Sequence, residues 1–281
     1  MENEELITKL KSIELDLFKQ FVRCCKELSL NYYVLGGTML GSVRHKGFIP
    51  WDDDIDVGMM RNDYEIFLEK APSLLPSYYF LQHSKSEPNY MNNFAKIRDS
   101  RTTFIETAVK NLNINHGVYM DIFPLDYYPE TLFRQKVFDL KYKLLSLKVR
   151  EAFAVQDGNK LSAAAELGVK VLSYFVSIKY KSSKDALLAM DKLCRSVPRS
   201  NLIANYNGAW GKKEIVPYFW YGSGISGDFE GISVSLPVEY DKWLKKVYGD
   251  YLKLPPAEKR VTHHFTEIVD LDTPYLDYRN G

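Results

Sequence analysis

At 281 residues, with 37 Lys plus Arg against 36 Asp plus Glu and a formal charge of +1, the chain can bury a substantial core and has no global positive field to attract nucleic acid. Its three cysteines, Cys24, Cys25 and Cys194, form no CxxC spacing, which argues against a disulfide framework and fits a reducing cytoplasm. The opening MENEELITKLKS is acidic and amphipathic, unlike a secretory leader, and no apolar run reaches the length of a membrane span.

Leu6, Leu10, Ile13, Leu17, Phe21 and Leu28 recur at helical spacing, widened by Phe18, Val22 and Cys25, and predict a long first helix that packs on a sheet. Tyr32–Leu35 is strand-like. Gly36-Gly37 then lets the chain turn sharply before a short helix opening near Thr38, whose first amide groups can receive an anion. In the next run, Trp51, Ile55 and Val57 share one strand face while Asp52, Asp54 and Asp56 share the other. Residues two apart on a strand are separated by roughly 7 Å, close enough for Asp54 and Asp56 to converge on a hard cation, Mg²⁺ or Mn²⁺ in its place. Asp53 falls on the apolar side and reads as a cap or turn residue. The plainer alternative is an ordinary glycine turn followed by a solvated acidic strand end. Clustered like charges repel, however, and keeping them at a partly buried edge calls for a counter-ion.

Asn62 or Asp63 can cap a helix through Ala71, which Pro72 and Pro76 end. Tyr78–Gln82 is strand-like and a polar loop follows. If Phe94–Arg98 is extended, Lys96 and Arg98 lie on one side, giving two cations able to meet a phosphate. Arg44 can fold back to the same phosphates. A turn over Asn111–His116 leads into a strand over Gly117–Phe123. There, Asp121 either receives backbone donors before Pro124 or takes part in chemistry, and Asp126 falls in the turn beyond the proline. Thr131–Arg150 and approximately Lys160–Val197 are predicted helices separated by a turn at Gly158. The apolar face in Ala163–Tyr180 is interrupted by lysines; core packing is its first reading and contact with a membrane surface its second. Trp210, Trp220 and Tyr221 in glycine-rich loops are candidates for stacking on a sugar or a choline cation. Phe229–Leu236 reads as a strand and Tyr240–Val247 as a helix.

The stretch GGTMLGSVRHKGFIPWDDDIDVGM resembles the signature of the LicD family, phosphocholine and related phospho-alditol transferases built on a nucleotidyltransferase fold. Similar blocks follow in order at Phe94–Arg98 (FAKIR), Gly117–Asp126 (GVYMDIFPLD) and Tyr248–His264 (YGDYLKLPPAEKRVTHH). The resemblance implies a nucleotidyltransferase-like α/β fold, a mixed β-sheet flanked by helices with additional middle helices. It implies that Asp121 joins Asp54 and Asp56 as a third carboxylate at the metal. Gly36, Gly37, Thr38, Arg44, Lys96, Arg98 and Arg260 would then handle the donor phosphates. A carboxylate of the cluster is the first choice of base and His263 or His264 the second, a structural hydrogen-bonded histidine being an equal reading of either. The implied donor is CDP-choline, or a CDP-ribitol or CDP-glycerol relative, and the implied acceptor is a surface glycan or its lipid-linked precursor. Such an enzyme works in the cytoplasm, at the inner face of the membrane through a peripheral contact. On this reading residues 1–130 form the core, 131–200 a helical acceptor-side insertion and 201–281 a part that completes the site. A nucleotidyltransferase that leaves the nucleotide on its acceptor is one alternative. A nucleotide-binding scaffold with a purely structural acidic cluster is another.

Overall fold

The computed structural model describes residues 2–153, 178–260 and 266–278. The first element is a long amphipathic helix, α1 (Glu2–Leu28), which buries Leu10, Leu17, Phe18, Phe21, Cys24 and Cys25. Next come β1 (Tyr33–Val34), α2 (Gly36–Arg44), β2 (Asp56–Met60), α3 (Arg61–Lys70), β3 (Tyr79–Gln82), β4 (Ala95–Asp99), β5 (Thr103–Glu106) and β6 (Val118–Tyr128). Two helices follow, α4 (Leu132–Arg150) and α5 (Ser183–Arg195). The last part holds β7 (Leu202–Asn205), β8 (Ile215–Pro217), β9 (Ile225–Phe229), β10 (Ile232–Leu236), α6 (Tyr240–Tyr248) and β11 (Thr266–Asp270).

Among the described residues the main sheet has seven strands, in the order β1-β2-β6-β4-β3, with β7 on β6 and β8 on β7. Only the β2–β6 pair is parallel. The sheet is therefore mixed, and α1 and α3 pack on it, as the nucleotidyltransferase-like α/β reading expects. The strands of Tyr33, Asp56 and Asp121 lie side by side. β6 is the spine: its first half pairs with β4 and its second half with β7, while β2 runs along its other edge.

Several boundaries differ from expectation for identifiable reasons. β6 runs through Pro124 to Tyr128. Pro124 stands between Ile122, paired to β4, and Leu125, paired to β7, so its missing N–H falls at the changeover between two antiparallel ladders. Asp126 consequently lies on the strand, not in a turn. It is 3% exposed, and Arg61 grips both its oxygens at 2.8 and 2.5 Å. α3 begins at Arg61 rather than at Asn62 or Asp63, with no side-chain cap; Asp63 instead accepts from the Asn31 N–H at 3.3 Å. The predicted Phe229–Leu236 strand is a hairpin, because Glu230 (φ 51°) and Gly231 (φ 75°) both adopt the left-handed conformation that a tight two-residue turn requires. Of the predicted Lys160–Val197 helix, residues 160–177 lie outside the described residues. Ser182 and Asp185 form a capping box that opens α5.

Among the described residues no helix is long and apolar enough to cross a membrane. All three cysteines are free and buried, and α5 and α4 pack on one another through Leu145, Val149, Ala186, Leu187 and Met190.

Candidate active site

The turn from β1 into α2 and the start of β2 are built around one another. Gly36 has φ 49°, a conformation natural to glycine, and a Cβ there would sit 3.1 Å from Asp56 Oδ2. At Gly37 a Cβ would lie only 2.1 Å from Asp52 Oδ2. The paired glycine thus lets two carboxylates approach the helix start. Thr38 does not reach the cleft; it is buried, and its Oγ1 accepts the Asp56 N–H at 2.8 Å, while the Leu35 N–H donates to the Asp56 carbonyl at 2.9 Å. Strand β2 begins only at Asp56, so Asp52 and Asp54 come from the loop before it, where the Asp52 N–H donates to the Ile49 carbonyl at 2.9 Å. Parallel pairing of β2 with β6 then sets Asp56 opposite Asp121.

Asp54, Asp56 and Asp121, with Asp52, line one cleft of about 850 Å³. Burial pushes the Asp56 carboxyl well above its usual range, and the charges of Asp54, Asp121 and Asp52 push it further, with Lys96 opposing. Burial likewise raises Asp121, against the pull of Lys96, whose Nζ stands 2.7 Å from Asp121 Oδ1 and 3.3 Å from the centre of the Tyr119 ring. Among the described residues no three His, Cys, Asp or Glu side chains are already gathered as a metal cage. The donor chemistry nonetheless fits a hard divalent cation: the carboxylates of Asp52, Asp54, Asp56 and Asp121 share one wall. Charges that repel one another when the cleft holds no cation attract one that enters.

The predicted phosphate-handling residues separate into two sets. Gly36, Gly37 and Arg44 line the cleft, Arg44 being steadied by an Nη1 bond to the Tyr251 carbonyl at 2.7 Å. Lys96 and Arg98 do lie on one face of β4, but both are buried. Arg98 donates to Gln82 Oε1 at 2.6 Å and to the Gly117 carbonyl at 2.7 Å, so it braces strands and is not among the cleft-lining residues. Arg260 donates to the Pro255 carbonyl at 2.9 Å and lies 5.4 Å over Trp51, itself a cleft residue. His263 and His264 lie outside the described residues.

Sequence reasoning missed much of the remaining wall, which includes Asn205, Asn207, Glu214, Tyr248, Lys253 and Lys259. Trp210 lines the cleft too, its ring edge-on to Tyr248 at 4.9 Å, whereas Tyr221 is fully buried and Trp220 packs on the core. Glu214 is 3% exposed, and burial pushes its carboxyl up to about 7 although Trp210 N–H (2.9 Å) and Asn205 both donate to it. A second missed carboxyl is Glu14 on α1, buried with Oε2 unpartnered and raised first by burial, then by Asp54. Its signal was present: it sits between Leu10 and Leu17 on the apolar stripe of the helix.

A mixed sheet that holds a helix start and three carboxylates around one cleft defines a nucleotidyltransferase-like protein. The family described as LicD/FKTN/FKRP, nucleotidyltransferase domain, matches residues 29–154, the span that holds all of those carboxylates. The lipopolysaccharide cholinephosphotransferase LicD of Haemophilus influenzae is 28% identical over 256 residues, covering 90% of this chain and 94% of that protein. An uncharacterized protein of Rickettsia prowazekii is 34% identical over 123 residues, covering 43% of this chain and 42% of its own. Residues 29–154 carry the nucleotidyltransferase domain of the LicD family, and most of the chain is similar to the Haemophilus protein.

Proposed function

We propose that the chain transfers phosphocholine from CDP-choline to a hydroxyl of a cell-surface glycan, of teichoic acid or lipopolysaccharide type, or of its lipid-linked precursor, releasing CMP. One observation carries the reading: the acidic wall of Asp54, Asp56 and Asp121 shares its cleft with Trp210, Tyr248 and the buried Glu214. The first set suits a diphosphate with its cation. The second suits a quaternary ammonium, which aromatic faces and a carboxylate attract. Similarity to the Haemophilus cholinephosphotransferase supports the same transferred group.

Arg44, Lys253 and Lys259 are the cleft cations available to the donor phosphates, together with the amide groups at the start of α2. Asp54 and Asp56, with Asp121 beside them, would hold Mg²⁺, which when bound neutralises diphosphate charge. The acceptor oxygen attacks the phosphorus that bears choline. A new P–O bond forms as the bond to the CMP oxygen breaks, and the hydroxyl proton passes to a carboxylate of the acidic wall. In this reading residues 1–130 carry the reacting groups, 131–200 shape the acceptor side, 201–281 supply the choline end, and the work is done at the cytoplasmic face of the membrane.

The deciding experiment gives the purified protein Mg²⁺, a lipid-linked glycan acceptor and, in separate reactions, CDP-choline, CDP-ribitol or CDP-glycerol. CMP release with a phosphocholine mass increase on the acceptor is expected. Phosphoribitol or phosphoglycerol transfer without phosphocholine transfer would overturn the head group. CMP appearing on the acceptor with free phosphocholine released would overturn the reaction.

A further inference from the structure

We propose that the outward face of α4 is a docking surface for a lipid bilayer that carries anionic head groups. α4 has two apolar sides. One holds Phe138, Leu145 and Val149, buried against the rest of the protein. On the opposite side Phe133, Val137, Leu140, Leu144 and Leu147 succeed one another at alternating steps of four and three, which lines them up as one stripe. Phe133 is 76% exposed, Leu140 54% and Val137 37%, and Leu132 at the head of the helix is 75% exposed. A surface helix ordinarily turns polar residues to that side.

The borders of the stripe say what covers it. At about 100° of rotation per residue, Lys136, Lys143 and Arg150 follow one edge and Arg134 and Lys141 the other. None of these five forms an ion pair among the described residues. Asp139, the acidic residue of α4, is turned to the Tyr128 hydroxyl at 2.8 Å and to Lys212 at 2.6 Å. Beside the first turns lies a groove of about 370 Å³ whose lining includes Phe133, Val137, Arg134, Lys141 and Arg199. An apolar stripe rimmed on both sides by cations complements a bilayer surface: rings and branched chains enter the acyl boundary while long basic side chains reach the phosphates. A second copy fits worse, because pairing two such stripes would set rows of cations against each other. The same helix touches the cleft rim, since the Tyr142 hydroxyl donates to the Tyr206 carbonyl at 2.9 Å, next to cleft-lining Asn207. Docking through the stripe would therefore hold that rim at a fixed height over the membrane.

The test is flotation of the full chain with vesicles of pure phosphatidylcholine and with vesicles in which about a third of the lipid is phosphatidylglycerol. Binding to the anionic vesicles is expected to be at least tenfold tighter and to weaken with added salt. Lys136→Glu with Lys143→Glu should reduce it by about fivefold or more per charge, and Phe133→Asp with Leu140→Asp should abolish it. Both variants alter exposed side chains and should melt at the wild-type temperature. Failure of the wild type to float, equal binding to both vesicle types, or variants that bind like wild type would overturn the proposal. So would light scattering that shows a dimer in solution dissociated by Leu140→Asp, which would make the stripe an interface between copies.

Discussion

Glu214→Gln isolates a buried charge on the cleft wall. The carboxyl is 3% exposed, and burial lifts it from 4.5 to about 7. Because the folded state holds this proton more tightly than the unfolded chain, the group costs nothing below pH 4.5, where both states are protonated. As pH rises from 4.5 to about 7 the unfolded chain ionises first and stability falls; above that the loss is complete. At about 1.4 kcal/mol per pH unit, the full loss is about 3 kcal/mol. The glutamine keeps an oxygen to accept the Trp210 N–H, made at 2.9 Å in the parent, but cannot ionise. Urea unfolding should therefore find the two proteins nearly equal at about pH 5 and the variant more stable by about 3 kcal/mol at about pH 8. A gap that does not change with pH, or a variant weaker at both, would refute the reasoning. Ionisation of Glu214 also bears on the ligand. CDP-choline should bind wild type more tightly as pH rises through about 7 while CDP-glycerol does not, and the variant should lose that difference.

Asp54→Asn, Asp56→Asn and Asp121→Asn should each lower metal-dependent CMP release by about a hundredfold or more with circular dichroism unchanged. Asp52→Asn should be milder; near-normal rates in the first three would reject their roles. Arg61→Ala removes the partner of Asp126 (2.8 and 2.5 Å) and Asp191 (3.0 Å). It should cost about 3 kcal/mol in urea unfolding while CMP release per folded molecule stays normal. Asp126→Asn should follow the same pattern, and a loss of rate without loss of stability would refute this structural role. Gly36→Ala must adopt φ 49° with its Cβ 3.1 Å from Asp56 Oδ2, so it should cost about 1–2 kcal/mol and slow CMP release. An unchanged melting temperature would count against the strained turn.

How much of this was legible in the sequence depended on how local the signal was. Gly36, Gly37, Asp54 and Asp56 lie within one short run, and their period and turn chemistry are written in neighbouring residues; all four line the cleft. Asp121 was found because it stands at the matching place of a second family-like block. Lys96 and Arg98 were rightly placed on one face of an extended segment, but facing does not reveal depth. Their burial follows from what packs around them on that face, where both cations lie over the Tyr119 ring, a contact made across strands. Glu214, Asn205 and Tyr248 join the cleft from elements far along the chain, and no local pattern marks a glutamate in a lysine-rich turn as buried. The proline in β6 misled for a physical reason: a missing N–H normally ends a ladder, and here two ladders meet at it.

The meeting of two ladders on β6 also settles what the chain can tolerate between them. It leaves the sheet after Tyr128 and rejoins it at Leu202, and those two residues are paired across neighbouring strands. Everything in positions 129–201 therefore starts and finishes about 5 Å apart, as if hung from a single peg. Lengthening such an excursion is cheap, since doubling a loop costs only about 0.6 kcal/mol in closure entropy. The register of Asp56 on Asp121 lies on the far half of the spine from that peg, and the turn at Gly36 follows β1, which pairs with β2 and not with β6. Helices of different length and surface can thus be exchanged at this peg while the strands that carry Asp56 and Asp121 keep their pairing.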